Sequence, residues 1–387
     1  MVNLTTLGKS LLHAKDVEIA ALREEIEELK GMLRANGIDP NKTATKNLHP
    51  ALAAFTPIHE EPAIAAALGP LNAAWDAVDA AADAGSGIDA AADALGPVAD
   101  AALAAYGETI ASRTADPTCI SGCQAALEAG NNSFEKVYQV VWDYVQGGEG
   151  AAWAKFPAAV DALKAAIPDG TPAKPVQRAD GTVALYKDAA RAKPKFAAVC
   201  AGLEKALACV EGVEVMRAEK LKGPGRLLEK VAFSGAPNKV CDLNRGMVMC
   251  NDLAAVNEVL GALAKSDGFT VLRVKDRYTS PSPGGWRDAL VNLACVGDDA
   301  AHVCELQVVH RSMFVARVGL DGHGVYDRVR NSIELLEKLG MLGTEVNEAG
   351  AAWSFDMGSE RKVAAKPKLS SASRPKSRTR APSEKKK

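Results

Sequence analysis

The chain has 387 residues, of which 48% are hydrophobic and 24% charged, a balance typical of a globular protein rather than a disordered or fibrous one. Only 5% of the residues are aromatic, and alanine is very abundant before residue 210, which favours helices but gives little bulk to a core. No apolar run reaches the roughly 18 residues that a membrane-spanning helix needs, so the sequence argues against a membrane span.

The first predicted element, residues 1–37, is a short coiled-coil helix. Its apolar stripe consists of Leu12, Ile19, Leu22, Ile26, Leu29 and Leu33. When the polar Lys15 is counted in the stripe, successive positions lie three or four residues apart, as in a coiled coil. We expect residues 12–33 to mediate self-association or to bind a partner protein. The alternative is an amphipathic helix folded onto its own chain. Asn36-Gly37 ends the helix, and residues 38–47 form a linker.

Residues 48–210 are predicted to form an Ala-rich helical domain. Segments such as FEKVYQVVWDYV have apolar residues at helical spacing, and Gly, Pro and Asp mark the breaks between them. Cys119 and Cys123 lie one helical turn apart, but two thiols without further ligands nearby do not predict a metal site. Because no catalytic constellation is recognisable here, the domain is interpreted as a scaffold or interaction surface.

Residues 211–345 mix strands and helices, which predicts an α+β domain with a mixed sheet flanked by helices. The predicted strands lie within Val240–Cys250, Phe269–Lys275, Ala289–Val296 and His302–Val309, the last two forming a hairpin around GDDAA. The predicted helices are Leu253–Leu263, with Asn251 as a candidate cap, and a final helix from Arg311 to Lys338 that is interrupted at Gly319–Gly324.

Side chains alternate along the strand His302–Val309. One face is fully apolar and is predicted to face the core, so Glu305 and Gln307 are displayed together on the other face. If Asn292 of the preceding strand lies on the same side as Glu305, a polar floor forms in the middle of the sheet.

Asp242, just before a strand, is a second candidate carboxylate. Two carboxylates on adjacent strands suit a Mg²⁺-dependent phosphoryl-type transfer, because they hold a hard cation through oxygen while substrate phosphates complete its shell. Asp242 and Glu305 are therefore the predicted magnesium ligands, and one of them is a candidate general base for a hydroxyl. Taken singly, Glu305 is better explained as an exposed polar residue on a half-solvated sheet, and Asp242 as a turn residue at the start of a strand.

Basic side chains cluster around the same elements. A triphosphate needs a positive lining of this kind, although solvated helix faces show it too. The clustered residues are Lys220, Lys222, Arg226, Lys230, Lys275, Arg277, Arg287, Arg311, Arg317, His323, Arg328 and Arg330.

Residues 361–387 form a basic tail with eleven Lys or Arg residues and one Glu. With few apolar residues the tail cannot bury enough surface to fold, so it is predicted to be disordered. A second interpretation is an arm for an anionic partner, such as nucleic acid or lipid, or for nuclear import.

Cysteine usage bears on the compartment. The eight cysteines include no CxxC pair, and no signal peptide is recognisable. We therefore expect free, mostly buried thiols and a cytoplasmic location, with a nuclear location open because of the basic tail.

Taken in series, these motifs resemble the synthetase domain of the RelA/SpoT-type GTP pyrophosphokinases over about Val215–Leu336. The resemblance rests on order and spacing, and covers near a third of the chain. Lys220-Leu-Lys222-Gly-Pro-Gly-Arg226 resembles the family's Arg-x-Lys…Ser, and Asp242-Leu-Asn-Arg resembles its metal-binding strand. Lys275-Asp276 with Pro281 and Gly285-Trp286 resembles Lys-Asp-Tyr…Pro-Lys-x-Asn-Gly-Tyr. Glu305-Leu-Gln307 resembles Glu-x-Gln, and Met313 with His323-Gly-Val-Tyr326 resembles Met…His-x-x-Tyr.

The resemblance implies a nucleotidyltransferase-like fold that moves pyrophosphate from ATP to the ribose 3′-hydroxyl of GTP or GDP. Mg²⁺ would be held by Asp242 and Glu305, Glu305 would assist deprotonation of the attacking hydroxyl, and Trp286 would stack on the acceptor base. The other residues expected to bind nucleotide are Lys220, Lys222, Arg226, Lys275, Arg287, Asn292, Gln307, His323 and Tyr326.

Several family contacts are replaced in this chain. Ser282 and Gly284 stand for the Lys and Asn of the guanine loop, and Met247 stands for an arginine. Asp288 stands for a serine, and its negative charge would repel phosphate unless Arg287 or a metal neutralises it. These departures keep a second interpretation open. In it, the chain is a catalytically inactive relative that binds nucleotides or partner proteins through its coiled coil and helical domain.

Overall fold

The computed structural model describes residues 20, 23–40, 49–130, 135–282, 284–319 and 322–342, without the side chains of 322–324. These residues belong to the compact unit Met1–Trp353, in which the helical part and the sheet share one contiguous core. The basic tail and half of the predicted coiled-coil stripe lie outside the described residues. None of the helices in the described ranges combines the length and apolar character that a membrane crossing requires.

The N-terminal part is helical, as the apolar spacing predicts. Helices α3 and α4 pack against each other and against α9, and alanines at their contacts allow close approach. The helices are α1 (residues 23–35), α2 (Pro50–Ala54), α3 (Pro62–Ala84), α4 (Ile88–Ala115), α5 (Pro117–Gly130), α6 (Lys136–Gly148), α7 (Gly150–Trp153), α8 (Phe156–Ala165) and α9 (Thr182–Ala206).

A five-stranded mixed sheet follows, with strand order β1-β2-β5-β4-β3. Strands β2 and β5 are parallel, and the other neighbouring pairs are antiparallel. The strands are β1 (Val213–Arg217), β2 (Arg245–Cys250), β3 (Phe269–Asp276), β4 (Ala289–Cys295) and β5 (Val303–His310), and the flanking helices are α10 (Pro224–Ser234), α11 (Leu253–Lys265), α12 (Arg311–Gly319) and α13 (Gly322–Lys338).

The predicted α+β class, the β4–β5 hairpin and the interrupted final helix are confirmed. Two details differ. Strand β1 was not predicted, and the N-cap of α11 is Asp252 rather than Asn251. The carboxylate of Asp252 accepts a hydrogen bond from the backbone N–H of Ala255 at 2.7 Å, which satisfies a free donor of the first turn.

Helix α1 packs onto the rest of the chain. Leu29 and Leu33 are buried, and Ile26 packs against the core. The carboxylate of Glu25 accepts hydrogen bonds at 3.0 and 2.9 Å from Nε of Arg311. The described part of the predicted coiled coil therefore fits the alternative of an amphipathic helix folded onto its own chain. Self-association through residues 12–33 stays a prediction.

A side chain at Gly319 would push α1 away from α12. A Cβ at that position would lie 2.6 Å from Cγ1 of Ile26. We expect Gly319→Ala to lower the free energy of unfolding by about 1–3 kcal/mol, because overpacking must displace Ile26. Gly261→Ala in α11 is the control: nothing lies within 4 Å of its Cβ position, so alanine should be neutral or stabilising there. Denaturant unfolding of both variants measures the difference, and equal stabilities would contradict the packing of α1.

His302, beside the β4–β5 turn, gives the fold a sensitivity to acid. It is buried, and neither ring nitrogen has a hydrogen-bond partner among the described residues. Burial lowers its pKa from 6.5 to about 4, against a smaller opposite effect of Asp298. The unfolded chain therefore binds more protons between these pH values. The free energy of unfolding should fall by about 3 kcal/mol as the pH drops through this window. His302→Leu should remove that pH dependence in urea unfolding; an unchanged slope would contradict it.

Candidate functional site

Polar side chains from four strands share one face of the sheet. The register places Arg273 of β3 opposite Asn292 of β4, Asn292 opposite Glu305 of β5, and Glu305 beside Arg245 of β2. Residues paired in this way carry their side chains on the same face. Asn292 therefore lies on the side of Glu305, which is the condition for the polar floor that the alternation predicted.

Asp242 lies three residues before β2 and is held by two lysines. Nζ of Lys230 donates a hydrogen bond to its Oδ2 at 2.8 Å, and Nζ of Lys222 donates to the same oxygen. Oδ1 is buried without a hydrogen-bond partner among the described residues. Burial favours the neutral acid, but the charges of Lys230 and Lys222 outweigh it and hold the pKa of Asp242 well below its ordinary value. Asp242 is therefore a carboxylate at neutral pH, with one oxygen still able to accept.

Glu305 is a carboxylate with the opposite tendency. Its Oε1 accepts a hydrogen bond from Nε2 of Gln307 at 2.8 Å. Burial, and next the charge of Asp242, raise the pKa of Glu305, although Arg277 and Lys230 work against this. The two carboxylates are thus close enough to repel each other, and a raised pKa suits a general base.

This carboxylate pair fits a hard divalent cation. Among the described residues, no group of three or more His, Cys, Asp or Glu side chains could hold a metal. Asp242 and Glu305 together offer carboxylate oxygens, the type of ligand that Mg²⁺ takes. Mg²⁺ is commonly bound by one or two carboxylates while substrate phosphates and water supply the remaining ligands.

A cleft of about 1070 Å³ opens at this face of the sheet. Lys230 lines the cleft and also bonds Asp242, so it connects the cleft with the carboxylate pair. Such a positive lining attracts phosphate groups. Nine lining residues are cationic and three acidic, namely Lys164, Arg226, Lys230, Lys239, Arg273, Lys275, Arg277, Arg330 and Lys338 against Asp276, Glu334 and Glu337.

A smaller pocket of about 100 Å³ adjoins the cleft. The two cavities share lining residues, so a ligand in one can meet a ligand in the other. The shared residues are Arg277, Ser282, Tyr326 and Val329.

Trp286 forms an aromatic wall of the smaller pocket. Tyr138 of α6 meets its ring edge-on, at 5.6 Å between ring centroids. The guanidinium of Arg317 lies 5.0 Å from the centroid of the same ring. With Tyr326 and Arg277, which also line it, the pocket combines three aromatic side chains with two cations. One of the aromatic residues comes from the N-terminal helical part.

Asp288 is neutralised within the protein. It is fully buried and pairs with Arg277, whose Nε and Nη2 donate to its two oxygens at 2.5 and 2.6 Å. The expectation that Arg287 or a metal must neutralise it is therefore corrected, because Arg277 does so.

Arg287 points to a different part of the molecule from the one predicted. Its Nη1 donates to the carbonyl oxygen of Tyr278, and its Nη2 donates to Oε1 of Gln139 at 2.9 Å. The guanidinium also lies 5.2 Å from the ring centroid of Trp142. Arg287 lines neither cavity, so the structure assigns it to packing between the sheet and α6 rather than to the nucleotide site.

The other predicted nucleotide-binding residues lie in different places. Lys220 is 69% exposed, pairs with Asp76 at 3.0 Å and lines neither cavity. The side chain of His323 lies outside the described residues. Arg226 lines the cleft while paired with Glu229 and Glu334. The remaining residues meet at the site: Lys275 and Tyr326 in the cleft, Trp286, Gln307 and Tyr326 in the smaller pocket, Lys222 at Asp242, and Asn292 beside Glu305.

These features define an α+β protein with a pair of partly buried carboxylates beside a basic cleft and an aromatic pocket. No protein-family model matches the chain, and no curated protein matches it.

Three solved structures are similar to part of the chain. One is the small alarmone synthetase 1 from Bacillus subtilis bound to its product pppGpp, at 15% identity and a TM-score of 0.31, covering 40% of this chain and 88% of that chain. Another is the complex between the Type VI effector Tas1 and its immunity protein, at 28% identity and a TM-score of 0.27, covering 38% and 73%. The third is smu.1046c from Streptococcus mutans UA159, at 15% identity and a TM-score of 0.28, covering 39% and 97%. Similarity at these TM-scores carries no argument about function.

Proposed function

We propose that the chain is a divergent RelA/SpoT-like nucleotidyltransferase that transfers pyrophosphate from ATP to the 3′-hydroxyl of GTP, GDP or a related nucleotide. One observation carries the proposal: the carboxylate of Asp242 bonds Lys230, which lines the basic cleft, and the carboxylate of Glu305 bonds Gln307, which lines the adjoining aromatic pocket. The motif series over residues 215–336 supports the same assignment.

The cleft supplies the donor site. Its excess of cationic over acidic residues suits a triphosphate, which needs several charge-assisted hydrogen bonds. Arg226, Lys230 and Lys275 line it on the side of the polar floor, and Lys230 can exchange its bond to Asp242 for one to a phosphate oxygen. Release of that bond would leave only Lys222 on Oδ2 of Asp242, and Oδ1, which has no hydrogen-bond partner among the described residues, could bind a cation.

Asp242 and Glu305 are the proposed magnesium ligands, and bound Mg²⁺ would neutralise charge on the phosphate oxygens. Glu305 accepts the proton of the attacking 3′-hydroxyl, a role that its raised pKa favours. The hydroxyl oxygen attacks the β-phosphorus of ATP, the bond from that phosphorus to the α–β bridging oxygen breaks, and AMP leaves.

The smaller pocket supplies the acceptor site. Trp286 offers an aromatic face to a base, and Arg317, 5.0 Å from its ring centroid, lies close to any base that stacks there. Ser282 and Tyr326 line both cavities, so they lie where the acceptor ribose would approach the donor phosphates.

Transfer of label tests the proposal directly. Purified chain is incubated with Mg²⁺, ATP labelled at the γ-phosphate, and GTP or GDP as acceptor. We expect the label on a guanosine product that carries a 3′-diphosphate, with AMP formed in equal amount. Label that stays on ATP, or appears only as inorganic phosphate, contradicts the proposal.

A catalytically inactive, nucleotide-binding relative is the second candidate. The observation in its favour is that two lysines share Oδ2 of Asp242, where a transferase needs a cation. This candidate requires that nucleotides raise the unfolding temperature without any transfer of label, so the two candidates differ in one assay.

A further inference from the structure

We propose that Asp288 is a positioning residue that holds Arg277 and Trp286 as one rigid group, and that Arg277 binds the acceptor's phosphates where the two cavities meet. This inference rests on the proposed function and extends it to the acceptor side. In the sequence alone, the negative charge of Asp288 counts against phosphate binding. In this arrangement the same charge supports phosphate binding, because it holds Arg277 in place.

The carboxylate of Asp288 receives three N–H donors. Nε and Nη2 of Arg277 donate at 2.5 and 2.6 Å, and the indole Nε1 of Trp286 donates at 2.9 Å. The backbone N–H of Arg277 also donates to the carbonyl oxygen of Asp288 at 2.9 Å. Because Asp288 is fully buried, water does not compete for these bonds. The guanidinium and the indole are therefore fixed relative to each other.

Arg277 lies at the boundary that the acceptor must cross. It lines both the cleft and the smaller pocket. Two of its guanidinium nitrogens face Asp288, so Nη1 is the nitrogen that remains for a ligand. A guanidinium keeps its charge when buried and bonds phosphate oxygens through its fixed geometry. Asp288 thus holds Arg277 at an orientation in which one nitrogen stays available.

The two residues depart from the family motif together. In the segment that resembles Lys-Asp-Tyr, Arg277 stands at the position of the tyrosine, and Asp288 stands at the position of a serine. The structure pairs these two replacements with each other. Together, the two replacements add no net charge. They bring a guanidinium to a loop in which Ser282 and Gly284 stand where the family motif has lysine and asparagine.

A purely structural ion pair is the competing explanation, and the two explanations predict different measurements. A structural pair affects stability and leaves affinity for the acceptor unchanged. A positioning pair raises the KM for the acceptor more than it changes kcat or the KM for ATP, because the donor binds elsewhere in the cleft.

The experiment compares Asp288→Asn, Arg277→Gln and the double variant with wild type. Binding of GDP alone is measured by calorimetry, and KM and kcat for acceptor and donor come from the labelled-ATP assay. We expect Arg277→Gln to weaken GDP binding about 10²-fold, as expected for loss of one charged contact. Asp288→Asn should weaken it about 10-fold, because Arg277 keeps its charge but loses its orientation. The double variant should lose less affinity than the product of the two single losses, since Asp288 acts in part through Arg277.

Asp298→Asn is the matched control. Asp298 is also a buried carboxylate that bridges a cation and a backbone donor, with Nζ of Lys195 at 3.1 Å and the N–H of His302 at 2.7 Å. It lies beyond the far end of β4 and lines neither cavity. We expect this variant to lose stability and to keep wild-type GDP affinity.

Wild-type GDP affinity in Asp288→Asn overturns the inference, even where stability falls as in the control. If Asp288→Asn does not fold, Arg277→Lys replaces it. Lysine keeps the positive charge but lacks the several N–H donors of a guanidinium, so wild-type GDP affinity in Arg277→Lys also overturns the inference. A wild-type chain that binds no GDP and transfers no label overturns the proposed function, and the inference with it.

Discussion

Glu305→Gln should abolish pyrophosphate transfer while GDP still binds. The amide cannot accept the proton of the attacking hydroxyl, and loss of general-base catalysis costs about 10²–10⁴-fold in rate. The change also removes a carboxylate charge that the proposed cation needs, which adds to the loss. The measurement is kcat in the labelled-ATP assay, with calorimetry of GDP binding in parallel. Loss of transfer with retained binding distinguishes a chemical role of Glu305 from a structural one.

The pH profile of wild type sharpens this test. Burial and the charge of Asp242 raise the pKa of Glu305, so its basic form is lost as pH falls through that raised value. The affinity of the chain for Mg²⁺ should therefore fall as the pH drops through that raised value, because a protonated carboxyl no longer offers an anionic ligand.

Glu149→Gln is the control for the substitution itself. The Glu149 carboxylate accepts from His310 at 3.0 Å and from the backbone N–H of Leu253 at 2.5 Å, and it lines neither cavity. This variant should keep the transfer rate. Full activity of Glu305→Gln, or equal losses in both variants, would contradict the assignment.

Local sequence pattern was sufficient to predict much of the sheet. Alternation along β5 separated the side of Leu306 from the side of Glu305, and the short turn after β4 implied an antiparallel hairpin. Within such a hairpin, residues directly opposite each other carry their side chains on the same face of the sheet, so the register determines which side chains meet. The hairpin register, which the sequence left open, places Asn292 opposite Glu305 and so on the same face. Strand β1, only Val213–Arg217 at the edge of the sheet, has the same alternation and was missed because it is short.

The acceptor side of the site depends on facts that local pattern does not contain. Successive residues of extended backbone point to opposite sides. Once Asp288 turns inward to Arg277, Arg287 must point the other way, towards Gln139 and Trp142. The sequence gives no sign of which of the two faces inward. Tyr138 and Arg317 are distant in sequence from Trp286, and only tertiary packing brings them to the pocket.

Asp242→Asn should destabilise the fold strongly. It leaves the ammonium groups of Lys222 and Lys230, which are 15% and 32% exposed, without their shared carboxylate. Removing one partner from a buried ionic group typically costs about 3–5 kcal/mol, and the partial exposure of Lys230 argues for the lower end of that range. Urea unfolding at neutral pH measures the loss. Lys220→Met is the control, because Lys220 pairs with Asp76 at an exposed position, where an ion pair contributes about 0–1 kcal/mol.

The double variant Lys222→Met with Asp242→Asn separates the two roles of Asp242. Replacing both members of a buried pair costs less than removing one, so the double variant should recover part of the stability that Asp242→Asn loses. Transfer of label should stay lost, because no carboxylate returns to position 242. Acid gives an independent check. The pKa of Asp242 is held below 3.8, so its stabilisation is complete above about pH 4 and is lost below it. Both variants should lack that acid dependence. Equal stability of Asp242→Asn and Lys220→Met would contradict the pairing of both lysines with Asp242.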